Sequence, residues 1–121
     1  MKPSHFLKEE FLIVELPKNY AFQLCWEYFT EALPKANEFR EANFCVVDGS
    51  KLETIDSVGM GSEIFILAQK FAENGGKEFV LSGFQNEQIT VLKFLAIEEN
   101  NFPKHFASLE LATKFLRNIV V

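Results

Sequence analysis

The strongest constraint on the fold is the run NFCVVDG, Asn43 to Gly49, whose apolar residues are continuous rather than alternating. A strand that is apolar at successive positions must be covered on both faces, as a central strand of a parallel sheet is. Two more short β-rich runs belong with it: EEFLIVEL (Glu9 to Leu16), closed by Pro17, and KEFVLSGF (Lys77 to Phe84). HFL, just before the first, reads as a short partner strand, and FPKHFA near the end reads as an edge strand, because Pro103 suits an edge better than a sheet centre.

Helical patterns separate these runs. Phe22, Trp26, Phe29 and Leu33 recur at helical spacing and predict an amphipathic helix from Tyr20 to Leu33, ended or kinked by Pro34. Ile64, Leu67, Ala68 and Phe71 share one face of a second helix, Ser57 to Asn74, with Asn74 to Gly76 as its stop. Asn86 to Ile97 follows with Asn86 as its cap, and then Leu109 to Asn118, with Ser108 as cap and Leu111, Phe115 and Ile119 on one face. Alternation of this kind implies an α/β fold in one domain, residues 1–121. The sheet is expected to be mostly parallel.

Composition narrows the function. A net charge of -5 with no cluster of Lys and Arg disfavours nucleic acid, whose binders must displace counterions, and makes a cationic protein surface the more natural partner. No apolar run approaches a membrane span and no signal peptide is evident, so a cytoplasmic location without direct membrane insertion is expected. Cys25 and Cys45 lie among apolar neighbours and read as buried free thiols. His5 and His105 lack metal-ligand spacing, and no metal or cofactor is expected.

The stretch IDSVGMGSEIF, Ile55 to Phe65, asks for an explanation of its own. It lies where a loop from the carboxyl end of a central strand meets a helix start, and in open α/β sheets sites gather beyond those strand ends. A helix start carries unpaired N–H groups and about half a positive charge, which Asp56 or Ser57 could cap. Gly59 and Gly61 are harder to explain, because each costs about 1 kcal/mol against alanine inside a helix. They make sense where a bare backbone must let a neighbour, a phosphate or a partner approach closely. A phosphate on Ser57 would suit the helix dipole and change the surface charge with little change in fold. The stretch is neither G-x-x-x-x-G-K-[ST] nor G-x-S-x-G, and no histidine is paired with Ser57 to activate it, so an enzyme is not expected.

Asp56, Ser57, Val58, Gly59, Met60 and Gly61 resemble the Asp-Ser-Ser-Gly-Leu-Gly signature of the STAS domain, the fold of bacterial anti-sigma-factor antagonists. Asp48, Gly49 and Ser50 fall in register with that family's Asp-Leu-Ser, with Leu52 and Ile55 at the apolar positions between. Downstream, Gly75 and Gly76, Phe79 to Leu81, then Val91, Leu92 and Leu95, and finally Phe106 to Ala112 look like the family's later elements, so the resemblance covers roughly residues 43–116. It implies a STAS fold: a mostly parallel, mixed sheet of four to five strands with about four helices. It also implies that Ser57 is phosphorylated by a serine kinase of the histidine-kinase-like ATPase fold that is itself an anti-sigma factor, with Asp56 to Gly61 as the partner surface. Two departures accompany the resemblance. Val58 replaces the second serine, and the family's Gly-x-Leu-Asp before the first helix is absent from LPKNYAFQL. The alternative implied by the same resemblance is a subunit of another complex, such as a lipid-transport ATPase or a stress-signalling scaffold, docking through the same helix start.

Overall fold

A computed structural model describes residues 3–56, 60–95 and 102–119. Five strands form the main sheet in the order β1-β2-β4-β6-β7, namely β1 (Ser4–Lys8), β2 (Phe11–Glu15), β4 (Phe44–Asp48), β6 (Glu78–Ser82) and β7 (Lys104–Phe106). Only β1 runs antiparallel, paired to β2 as the HFL run predicted; the other neighbours are parallel. β3 (Asn19–Ala21) and β5 (Thr54–Asp56) form a separate parallel pair that the sequence reading did not anticipate.

Period-two alternation divides the strands between two cores. Leu12, Val14, Cys45, Val47, Phe79 and Leu81 face the larger core. It also takes in Phe29, Leu33 and Phe39 from the first helical region, Ile64, Leu67 and Phe71 from α4 (Met60–Glu73), and Ile89 and Leu92 from α5 (Asn86–Leu95). Phe11, Ile13, Phe44, Val46 and Val80 point the other way, where α6 (Leu109–Ile119) covers them with Ala112 and Leu116. The continuous apolar run of β4 is thus buried at all its positions, as a central strand requires. Both cysteines are buried, and burial pushes the Cys45 thiol well above its ordinary value.

Two expectations about helices need correction. Pro34, expected to end or kink the first helical region, does not end it at Leu33: the helix runs on to Lys35 before Ala36 turns extended. The chain runs from α1 (Phe22–Glu27) through a π-helical segment, Tyr28–Ala32, into α2 (Leu33–Lys35), and α3 (Asn37–Glu41) follows. In the wide turn Leu33 N–H donates to Tyr28 O. Pro34 has no N–H for the Thr30 carbonyl, and Lys70 Nζ from α4 fills that place at 3.0 Å. Trp26, expected on the apolar face, is 41% exposed, while Cys25 and Tyr28 are buried beside Phe29 and Leu33. The second correction concerns α6. Leu111 and Ile119 are 49% and 42% exposed; of the expected face only Phe115 packs against the sheet side, beside Phe106, and the helix seats there through Ala112 and Leu116.

The ends of the elements follow local chemistry. Ser108 Oγ caps α6 by accepting from Leu111 N at 3.2 Å, as expected. Asn86 is the first residue of α5 rather than its cap, and Gln85 N–H, just before it, donates to Gln88 Oε1 at 2.8 Å. α4 stops where Gly75 turns to a φ of +91° and Gly76 N–H returns to Phe71 O at 2.9 Å.

Candidate functional site at the carboxyl edge of the sheet

The parallel strands bring Glu15, Asp48, Ser82 and Phe106 to one edge. Backbone hydrogen bonds lace this edge together: Leu16 N to Asp48 O at 3.0 Å, Gly49 N to Ser82 O at 2.8 Å, and Gly83 N to Phe106 O at 3.0 Å. Asp48 sits in the middle with 8% exposure. Its carboxylate accepts from Ser50 N at 3.2 Å, Ser50 Oγ at 2.9 Å and Ser82 Oγ at 3.2 Å. A buried carboxylate needs such donors to offset its lost hydration. Ser50 and Asp48 stood in the expected register; Ser82 and Gly83 were missed. Gly83 has a φ of +74°, and a Cβ there would lie 2.7 Å from Asp48 Oδ1 and 2.9 Å from Ser50 N, so only glycine closes the cage.

The loop after Asp48 is held along its length. Leu52 N–H reaches Gly49 O at 3.0 Å, Glu53 N–H reaches Lys18 O at 2.7 Å, and Gln88 Nε2 donates to Leu52 O at 3.3 Å. Thr54 Oγ1 donates to Asn19 Oδ1 at 2.6 Å as β5 joins β3. A shallow cavity of about 630 Å³ opens beside this loop, rimmed by the ion pairs Lys18–Glu53 at 3.3 Å and Lys51–Glu15 at 3.2 Å. Among the described residues no group of three or more His, Cys, Asp or Glu side chains could hold a metal ion.

The residues singled out from the sequence fall at the end of this path. Asp56 is the last residue of β5, and Met60 and Gly61 open α4. Ser57, Val58 and Gly59 lie outside the described residues. Glu63 was not singled out; it stands directly before the apolar run that begins at Ile64. It is 1% exposed, and its Oε2 accepts a hydrogen bond from the hydroxyl of Tyr20, itself fully buried. Burial first, then the hydrogen bond and charge of Glu63, hold the Tyr20 phenol far above its ordinary range, so it remains a donor. His105 Nε2, on β7, accepts from Phe84 N–H at 3.1 Å, which places the ring's own proton on Nδ1. Desolvation and nearby Lys93 push His105 below its ordinary value.

No protein-family model matches the sequence, and no curated protein matches it. Solved structures do match the fold. SpoIIAA, an anti-sigma-factor antagonist, in its unphosphorylated form is 15% identical over 95% of this chain and 97% of that chain, with a TM-score of 0.69. A serine-to-glutamate variant of RsbS from Moorella thermoacetica is 14% identical over 98% of this chain and 97% of that one, with a TM-score of 0.71. An anti-sigma-factor antagonist (STAS) domain protein from Planctomyces limnophilus is 11% identical over 95% and 97% respectively, with a TM-score of 0.70. The chain therefore has the STAS fold, a mixed sheet of five strands with helices on both faces.

Proposed function

We propose that this is a regulatory protein, not an enzyme, that acts by partner switching in the manner of an anti-sigma-factor antagonist. On this reading a serine kinase of the histidine-kinase-like ATPase fold, itself an anti-sigma factor, docks on Asp56, Ser57, Val58, Gly59, Met60 and Gly61. It transfers the γ-phosphoryl group of ATP to the Ser57 hydroxyl and releases ADP. The supporting observation is a single coincidence: the Asp-Ser-x-Gly-x-Gly stretch spans the junction of β5 and α4 in a chain with the fold of SpoIIAA. The Asp48 cage and the laced loop brace the chain leading to that junction. A phosphate beside a helix start is tolerated by the protein that carries it, so its repulsive effect falls on the partner.

The test is incubation with ATP and a soluble extract of the source cell, followed by phosphopeptide mapping. One phosphate at Ser57, abolished by Ser57→Ala, is expected; mapping to Thr54 or Ser62, or no incorporation, counts against the reading. Ser57→Asp should keep the circular dichroism of the parent and lose the partner.

A second reading is favoured by the segment Leu16 to Leu24, which lacks Gly-x-Leu-Asp and buries Leu16 and Tyr20 in the core. It offers a partner less than the family's usual first-helix surface. On that reading the chain is a constitutive subunit of a larger complex, docked through the same helix start without phosphorylation. Retention of the partner by Ser57→Asp would select it.

A further inference from the structure

Tyr20 stands in register with Ile55 in the parallel pair β3–β5, and its backbone therefore belongs to the ladder just before segment 57–59. Its side chain crosses the core to α4, just after that segment, and donates to Glu63. Burying a carboxyl group to 1% exposure is costly, and apolar residues of similar size in place of both Glu63 and its Tyr20 donor would avoid that cost. What the carboxyl supplies that an apolar residue cannot is a directional bond between α4 and β3. We infer that Tyr20 and Glu63 are positioning residues for the acceptor segment: Tyr20 holds the chain on both sides of residues 57–59, by its backbone to β5 and by its hydroxyl to α4. The positioning role for phosphorylation rests on the function proposed above; the clamp itself does not.

The rest of the molecule distinguishes this clamp from ordinary core packing. α5 and α6 carry no comparable buried carboxyl among the described residues, where Asp48 and Glu63 are the buried acids. Both lie on the path through β5 into α4, Asp48 fixing the loop that enters it and Glu63 the helix that leaves it. Each acid therefore anchors one approach to the same short segment.

Amide hydrogen exchange followed residue by residue tests the clamp without a kinase. Tyr20→Phe removes the donor and keeps the ring. It should speed exchange at residues 54–64 by roughly tenfold, the equilibrium worth of one buried hydrogen bond, while β4 and β6 keep their protection. Glu63→Gln retains an acceptor oxygen and should restore the parent pattern. The double variant Tyr20→Phe/Glu63→Leu, which removes both buried polar groups, should melt no lower than the parent and still show the fast local exchange; it serves as the decisive variant if Tyr20→Phe does not fold. Exchange that rises evenly through every element, or a double variant with parent protection at residues 54–64, would overturn the inference. In extract and ATP, the initial rate at Ser57 should fall for Tyr20→Phe and recover in Glu63→Gln. Parent-like rates in both would overturn the role in phosphorylation. If Ser57 takes no phosphate in the parent while the exchange pattern holds, the functional reading fails and the clamp stands.

Discussion

The carboxyl edge of the sheet and the face under α6 are built from different chemistry. At the edge, Ser50 and Ser82 donate to Asp48, loop carbonyls accept from Gln88 and from backbone N–H groups, and Gly83 takes a conformation closed to other residues. Under α6 the contacts are apolar: Phe11, Ile13, Phe44, Val46 and Val80 against Ala112 and Leu116. Apolar contact is strong but non-directional, so it supplies stability and tolerates sliding. Hydrogen-bonded cages supply less net stability and fix atoms in direction. On the function proposed above, a segment presented to a partner calls for the second kind of support beside it and the first kind elsewhere.

The largest effect should come from the apolar face. Phe44 is fully buried and stacks on Phe11 with ring centroids 5.6 Å apart. Phe44→Ala should cost about 3–5 kcal/mol in urea unfolding, while the protein that remains folded keeps parent exchange at the loop and β5. Accelerated exchange confined to residues 49–56 would break the contrast between the two regions.

Asp48→Ala should come next. It leaves the Ser50 N–H and the Ser50 and Ser82 hydroxyls without their acceptor, at a cost of about 1–3 kcal/mol by the same measurement. Here the loop should respond out of proportion to the stability lost, with exchange at residues 49–53 faster than in Phe44→Ala.

A smaller effect is pH-dependent. The fold depresses the pKa of His105 from its ordinary 6.5, because burial strips water from the charged ring and Lys93 repels it, while the neutral ring accepts from Phe84 N–H. A protonated ring could not accept that bond. The folded state therefore binds the proton less readily than the unfolded chain. Its contribution is complete above pH 6.5 and falls as the pH drops through 6.5 toward the lower folded value. The urea midpoint should decline over that range, and His105→Gln should reduce the slope.

Smallest of all should be Leu111→Ala. With the side chain 49% exposed, its loss should stay within about 0.5 kcal/mol by thermal melt. A loss near that of Phe44→Ala would mean that α6 turns the Leu111 side toward the sheet after all.

Legibility in the sequence followed the range of the interactions. β2, β4 and β6 stood out because a strand's burial is written into successive residues, and the α4 face of Ile64, Leu67 and Phe71 because a long apolar arc admits one seat. α6 was harder. Its apolar residues make two adjoining stripes, Leu111–Phe115–Ile119 and Ala112–Leu116, and periodicity alone favours the bulkier one. The sheet beneath took Ala112 and Leu116 with Phe115 at their side, and left Leu111 and Ile119 exposed. Pro34 misled for a similar reason, since the cation that takes up the Thr30 carbonyl comes from Lys70 on another helix.

By itself, the sequence determined the α/β class and the order and approximate bounds of the main strands and helices, because propensity, capping and periodicity act over a few residues; the stretch Asp56 to Gly61, on which the proposed function rests, was also singled out there. Only the tertiary structure decided that Asp48 would meet Ser82, that Gly83 would close over both, and that Tyr20 would bond Glu63 across the core. Those pairs are 34, 35 and 43 residues apart, and nothing local in the chain records a partner at such distance. They exist because parallel pairing aligns the carboxyl ends of strands that are remote in sequence, and because polar groups carried into an apolar interior must find each other there.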